Sequence, residues 1–555
     1  ENTSRDSYIP SDVYYALQRK SRGNLGYGKR QQSTLEGTLT FQHKFGELLD
    51  MNLMAGMGRY LDSGDGSDIS YENANDHIQG SSVGMADGPF YPTSYKYKNE
   101  KRSQFVRGNF DLLGRYVVSA SLRRDGTDKF FPSKKYALFP SVSLAWKMNE
   151  ESFIKNISWI NMLKLRASYG ETGSDNLGTT LYGIVTTTRE DVQFNNNSVT
   201  YIPYILSGAN YEDVTWQKTV MKNIGLDFSI FRDRIWGSVD VFRNDVTHLL
   251  GTAPTELLGM HGTRPINGGH YKRTGIDVSL NSLNLQTHDF KWTSQITMSH
   301  YNAVWIERMP NYDYQKYQKR KNEPMNAFYY YKTTGIIDMD KSNMPESQRS
   351  LGPAACMPGY PIVEDKNGDG IIDVNDSYMD NMLPKLYFGF GNTFTWKNFD
   401  LDIFMYGQLG VKKWNDAYSY SADAGNLSRG VDAHNVGIYS YNIWNTQTNT
   451  NGYFPGIAIS KSVALPENLG FDYTRENASY IRVRNITLGY NLGPKELSVF
   501  KGYIRGIRVF VDFQNPLTFT KYKGYDPEIN TSSSNLTGGQ YPQMRVYSIG
   551  AKLTF

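Results

Sequence analysis

The residues best spaced for chemistry lie between 365 and 376. Asp365, Asn367, Asp369, Asp373 and Asp376 put oxygen side chains at positions 1, 3, 5, 9 and 12 of a twelve-residue loop. Ile371 offers its main-chain carbonyl at position 7, and Gly370 stands at 6, where such a loop turns sharply. That order is the one by which EF-hand-type loops wrap a calcium ion in oxygen. Asp376 occupies the place of a longer Glu, reaches less far around an ion, and so implies modest affinity. No helical pattern flanks the loop, and an EF-hand domain is not implied. The expectation is a calcium ion on these six residues, with a metal-free, Asx-rich turn as its alternative. No other cofactor is expected.

Bond-making chemistry finds little support, and the chain is not expected to be an enzyme. Cys356 sits in Gly352-Pro353-Ala354-Ala355-Cys356-Met357-Pro358, with no histidine near it in sequence, and reads as an inert thiol. His261, His270, His288 and His300 form no His-Glu-x-x-His pattern. Glu150-Glu151 reads as a pair of solvated turn charges rather than glycosidase carboxylates. No glycine-rich phosphate loop stands at a strand-to-helix junction. The 59 basic and 55 acidic residues leave a net charge of +4, too balanced for a nucleic-acid binder.

The elements that must position these groups show a period of two. On a strand, successive side chains point to opposite faces. In 223–230, Ile224, Leu226, Phe228 and Ile230 alternate with Asn223, Gly225, Asp227 and Ser229. Tyr116, Val118, Ala120 and Leu122 share one face, as do Leu163, Leu165, Ala167 and Tyr169, and Ile507, Val509, Val511 and Phe513. In 481–490 the phase slips near Arg484, which suits a bulge. No apolar run approaches the ~20 residues of a spanning helix. Segments of this kind number roughly sixteen, many of about ten residues. Close pairs (34–42 with 48–57, 102–112 with 114–124, 220–231 with 233–245, 385–396 with 399–409) read as antiparallel hairpins. The stretches 58–101, 171–219, 306–384 and 411–478, rich in Asn, Ser, Gly and Tyr, read as long loops. Short turns alternating with long loops describe an all-β transmembrane antiparallel barrel over 34–555, preceded by a loop or extension at 1–33. A soluble sandwich array or solenoid would also alternate; a propeller would need a repeat of about 40–50 residues, and none is present.

The last strand alternates perfectly, with Tyr547, Ile549, Ala551, Leu553 and Phe555 on one face. Ending on Phe555 resembles the assembly signal of bacterial outer-membrane barrels. Several stretches resemble one family in order: Ser119-Ala120-Ser121-Leu122-Arg123-Arg124-Asp125-Gly126, Phe139-Pro140-Ser141-Val142-Ser143-Leu144-Ala145-Trp146 and Leu163-Lys164-Leu165-Arg166-Ala167-Ser168-Tyr169-Gly170. Asn223 to Phe228, Tyr480 to Tyr490, Thr520-Lys521-Tyr522 and Gly524-Tyr525-Asp526-Pro527-Glu528 continue the series. They resemble the SusC/RagA-type TonB-dependent transporters of Bacteroidetes outer membranes.

The resemblance implies import of a large nutrient, an oligosaccharide or a peptide, across the outer membrane of a Gram-negative cell. It implies a SusD-like surface lipoprotein as a lid, energy from the TonB complex, and a plug inside a barrel of about 22 strands. It also admits a dimer of transporter–lipoprotein pairs. No plug is recognisable before residue 34, so a plug-bearing companion chain or N-terminal portion is expected to supply it with the remaining strands. Glu1 opens a polar stretch without a basic-then-apolar leader, as in a mature form or a fragment. Tyr312, Tyr314, Tyr317, Phe328, Tyr329, Tyr330, Tyr331, Tyr418, Tyr420, Tyr439 and Tyr441 crowd the longest loops. They suit stacking on sugars or lining a peptide cavity, though girdle or loop packing is the favoured reading. No single substrate residue is assigned. The rivals are a passive porin-like channel and a secreted glycan-binding β-protein.

Overall fold

The computed structural model describes residues 2–9, 22–72, 88–177, 212–254, 263–310, 322–414, 442–456, 465–494, 496–500, 503–524, 526–529 and 542–555, with shorter stretches at 83, 86, 186–187, 204–205 and 314–319. Among these residues one antiparallel sheet holds sixteen strands, each paired with its neighbours in sequence. They are β1 Asn2–Ile9, β2 Arg22–Phe45, β3 Leu49–Glu72, β4 Phe90–Leu112, β5 Tyr116–Thr127, β6 Tyr136–Lys147, β7 Ile160–Ser174 and β8 Gln217–Ile230. β9 Ile235–Pro254, β10 Thr263–Gln286, β11 Phe290–Glu307, β12 Leu386–Trp396, β13 Phe399–Leu409, β14 Tyr480–Leu492, β15 Gly506–Thr520 and β16 Val546–Thr554 complete it.

The register turns the alternation of each strand into rows across the sheet. Leu165, Leu226, Val239, Val278, Met298 and Phe388 stand opposite one another on successive strands. One residue along, the row reads Lys164, Asp227, Ser238, Ser279, Thr297 and Gly389. One face is therefore hydrocarbon and the other polar. A soluble sheet would bury the apolar face, but Ile224 is 62% exposed and Ile549 79%. Only a hydrocarbon solvent makes that stable, and backbone pairing between strands is what permits such a segment in lipid. The sheet is the wall of a transmembrane β-barrel. No helix among the described residues is long and apolar enough to cross a membrane.

One end of the wall carries tight turns. At Leu113-Gly114 both residues have positive φ (56° and 65°), the geometry that matches the twist of flanking strands. The four hairpins read from sequence all pair as expected. The slip near Arg484 is a bulge: pairing to both neighbours jumps from Val483 to Asn485.

Two readings need correction. The described residues of 1–33 are strand rather than loop, since β1 and the first half of β2 lie there, and most of 58–101 is strand. The cause is height. β2, β3 and β4 have 24, 24 and 23 residues, against 11 for β12 and β13. Beyond the apolar band the outward positions become Lys29, Gln31, Ser63 and Asp65, so alternation fades while backbone pairing continues.

At the opposite end from the tight turns, the connections β11–β12 and β13–β14 fold into one body. Strand Ala327–Tyr331 pairs with Tyr378–Asn381 from its own connection and, in parallel, with Gly470–Phe471 from the other. Its core is Tyr331, Val363, Ile372 and Leu465, beside a second cluster of Ile337, Ala355, Tyr360 and Ile362.

Candidate functional site

The polar face of the wall is laced with charge-assisted hydrogen bonds. Arg166 on β7 forks onto Asp227 of β8 (2.9 and 2.7 Å) and reaches Asp240 of β9 (3.1 Å). Arg508 on β15 grips Asp400 of β13 (3.2 and 2.6 Å), which also accepts from Asn491 (2.5 Å). Thr393 donates to Asp402 (2.6 Å) and Ser299 to Asp277 (2.6 Å). These groups span the sheet crosswise and leave a hydrophilic surface, as expected of a lumen.

Toward the loops two arginines act as bolts. Arg482 on β14, 3% exposed, donates to Asp526 (2.7 Å), Glu528 (2.5 Å) and the Thr518 hydroxyl (3.0 Å). Tyr406 of β13 donates to the same Glu528 carboxylate (2.8 Å), and Lys413 reaches the Pro527 carbonyl (2.5 Å). The segment 526–529 is thereby pinned to the wall. Burial pushes the Lys413 ammonium below its usual range, against the pull of Asp526 and Glu528.

Arg475 is the second bolt. It pairs with Asp380 (2.9 Å) and lies 4.2 Å over the Phe328 ring. Lys412 joins the same carboxylate (3.0 Å), and the Tyr330 hydroxyl donates to it (3.2 Å). Burial lowers the Arg475 pKa and raises that of Tyr330 to about 12, so the phenol stays a neutral donor. For Asp380, burial works upward, but the Lys412 hydrogen bond and the Lys412 and Arg475 charges outweigh it and hold the carboxyl low.

The 365–376 loop packs against this body through Ile372, 3% exposed, while the Tyr331 hydroxyl donates to the Asp373 carbonyl (3.0 Å). Gly368 and Gly370 take positive φ (75° and 83°), as the sharp turn requires. The oxygens are turned mostly to the loop's own amides. Asp365 accepts from Gly368 and Gly370 (2.8 Å each), Asn367 from Asp369 (3.0 Å), and Asp369 from Ile371 (2.9 Å). Asp373 accepts from Asn375 (2.7 Å). Asp376, fully buried, accepts from Lys366 (2.9 Å) and Asp373 (2.8 Å). Ile371 is exposed. Among the described residues no three acidic, His or Cys side chains are gathered as a metal would require.

Cys356 contacts the carbonyls of Gln348 and Gly352. His270 lies 3.2 Å from Asp245, His288 2.6 Å from Asp289, and His300 2.6 Å from the Lys385 carbonyl; His261 lies outside the described residues. Glu151 is not a solvated charge. It accepts from Tyr116 (2.6 Å), Trp146 (3.0 Å) and Arg115 (3.2 Å), and clamps the β6–β7 turn to β5. Of the loop aromatics, Tyr330 and Tyr331 are buried in the loop body, Tyr317 packs on Tyr329 (4.6 Å), and Phe328 stacks on Tyr330 (5.9 Å). Arg308 covers Tyr314 (5.0 Å). Tyr312, Tyr418, Tyr420, Tyr439 and Tyr441 lie outside the described residues.

Comparison with known proteins adds the context. A family model described as "TonB dependent receptor-like, beta-barrel" matches residues 1–515. The TonB-dependent receptor P3 of Formosa agariphila is 27% identical over 595 residues, covering 100% of this chain and 55% of that protein. The TonB-dependent receptor SusC of Bacteroides thetaiotaomicron is 27% identical over 484 residues, covering 83% and 44%. The chain spans about half the length of these curated relatives. Among solved structures, that of the RagAB peptide transporter superposes with a TM-score of 0.78 at 21% identity, covering 100% of this chain and 59% of that one, which supports the fold.

Proposed function

Because the chain belongs to the TonB-dependent receptor-like β-barrel family, a transport family and not an enzymatic one, we propose that it forms most of the wall of an outer-membrane importer. The cargo is a large nutrient, an oligosaccharide or a peptide. A SusD-like lipoprotein meets the loop body at the extracellular mouth, and TonB drives release through a plug on a companion chain or N-terminal portion. The observation that carries this reading is the two-faced wall: exposed hydrocarbon on one side, cross-strand charge pairs such as Arg166–Asp227 on the other. The likeness to SusC supports the lipoprotein and the TonB coupling. The peptide cargo named for RagAB and the glycan alternative both fit a wet, loop-capped lumen. Uptake of the cognate nutrient is measured in cells with and without TonB. Loss of uptake without TonB is expected; uptake that persists identifies a passive channel instead.

We further propose that the 365–376 loop takes a calcium ion. The spacing of Asp365, Asn367, Asp369, Ile371, Asp373 and Asp376 supports it, as does a loop already folded at Gly368 and Gly370. Binding exchanges some of the carboxylates' amide hydrogen bonds for the ion. Calorimetric titration of the purified protein with calcium gives saturable heat that Asp369→Ala abolishes. A flat titration leaves the loop as a self-bonded turn.

A further inference from the structure

We propose that the lipid-facing surface of β6 to β10 holds one lipid of the outer leaflet whose phosphate headgroup carries net negative charge. The surface has a groove of about 520 Å³. Its lower part is Leu144, Ala167, Ile224 and Val241, and its upper end is Val142, Lys222 and Arg243. Register explains the arrangement. Leu144, Ala167, Ile224, Val241 and Ile276 form one outward row, and the short Ala167 between Leu144 and Ile224 leaves the slot open.

Two residues toward the loops, the next outward row is Val142, Tyr169, Lys222, Arg243 and Thr274, and the row after that is Glu171, Val220, Asp245 and Lys272. The surface passes from hydrocarbon to cation within roughly 7 Å along the strand. This happens on the loop side of the apolar band, at the height of outer-leaflet headgroups.

The carboxylates here are already taken. Asp245 is gripped by Arg243 (2.7 and 2.9 Å) and faces His270 (3.2 Å). Glu171 is paired with Lys218 (2.5 Å) and accepts from Tyr169. Among the described residues no carboxylate lies within ion-pair distance of Lys222 or Lys272, so this patch carries two uncompensated ammonium groups. An ammonium surplus directly above an apolar slot complements a phosphate above an acyl chain; a zwitterionic headgroup gains far less. A larger groove on β2 to β6 has only Arg124 on its rim, and that guanidinium is stacked on Tyr136 (4.1 Å). The site is independent of the cargo proposed above and needs only the membrane placement of the wall.

The test uses the purified protein, with any companion chain, in detergent. Native mass spectrometry is run with short-chain phosphatidic acid, phosphatidylcholine of the same chains, or inorganic phosphate. The wild type is expected to retain phosphatidic acid and neither of the others. Lys222→Gln with Lys272→Gln weakens retention by roughly tenfold or more, whereas Lys222→Arg with Lys272→Arg preserves it. Ala167→Trp, which fills the slot without touching charge, also weakens it, while heat-modifiable gel mobility reports an intact barrel. Equal retention of phosphatidylcholine overturns the proposal. Inorganic phosphate competing as well as the lipid, or unchanged binding in the glutamine pair, does the same.

Discussion

Arg482 shows how much one side chain holds in place. Its guanidinium is buried with Asp526, and it also reaches Glu528 and Thr518, so three partners from the 518–528 region converge on one residue of β14. A buried ion pair adds little net stability over an apolar filling, but removing one partner strands the other charge, at a cost of about 3–5 kcal/mol. Arg482→Ala is therefore expected to release the 521–545 connection from the wall. Limited proteolysis should cut that connection in the variant under conditions that leave the wild type whole, and an equally resistant variant would show that the knot is not what holds it. None of this was legible in advance. Arg482 and Asp526 both fall in stretches that resemble the family, yet they lie 44 residues apart, and periodicity says nothing about which polar residues meet across such a distance. The spacing at 365–376 can be read directly, because all six residues lie within one short loop.

At the level of elements, strands were readable only where lipid made them two-sided. The alternation in 223–230 marks β8 because each outward position there faces hydrocarbon. Above the band, Gln31 and Ser63 stand opposite each other on the same outward face, both polar, and β2 and β3 look like loop. The loop body was hidden for another reason: its sheet joins Ala327–Tyr331 to Gly470–Phe471, short strands from separate connections with no repeat to flag them. Asp380 ties that sheet to Arg475 and Lys412. Because its folded pKa is depressed, its contribution is fully present above the unfolded value near 4 and is lost as pH falls through the folded one. Hydrogen exchange, corrected for intrinsic rates, should therefore quicken in 327–331 and 475–477 when pH is lowered from 7 to 3. Asp380→Asn should exchange faster already at pH 7 and respond less to acid. A pH-independent wild type would remove Asp380 from this role.

For the whole molecule, a wall of roughly sixteen strands and the alternation of turns with long connections were legible, because spanning lipid forces both into the sequence, although β1 lies in the stretch read as a loop. What was not legible was how unevenly tall the wall is. Strands of 24 residues on one flank and 11 on another differ by roughly 40 Å along the strand direction. The loop body rises from the short flank, between β11 and β14. The change is not a single slope: β5 to β8 have 12, 12, 15 and 14 residues and β10 again 24, so the rim rises and falls like a battlement. The loop body stands in one of the low embrasures, so that there folded connections rather than barrel strands make up the height of the wall.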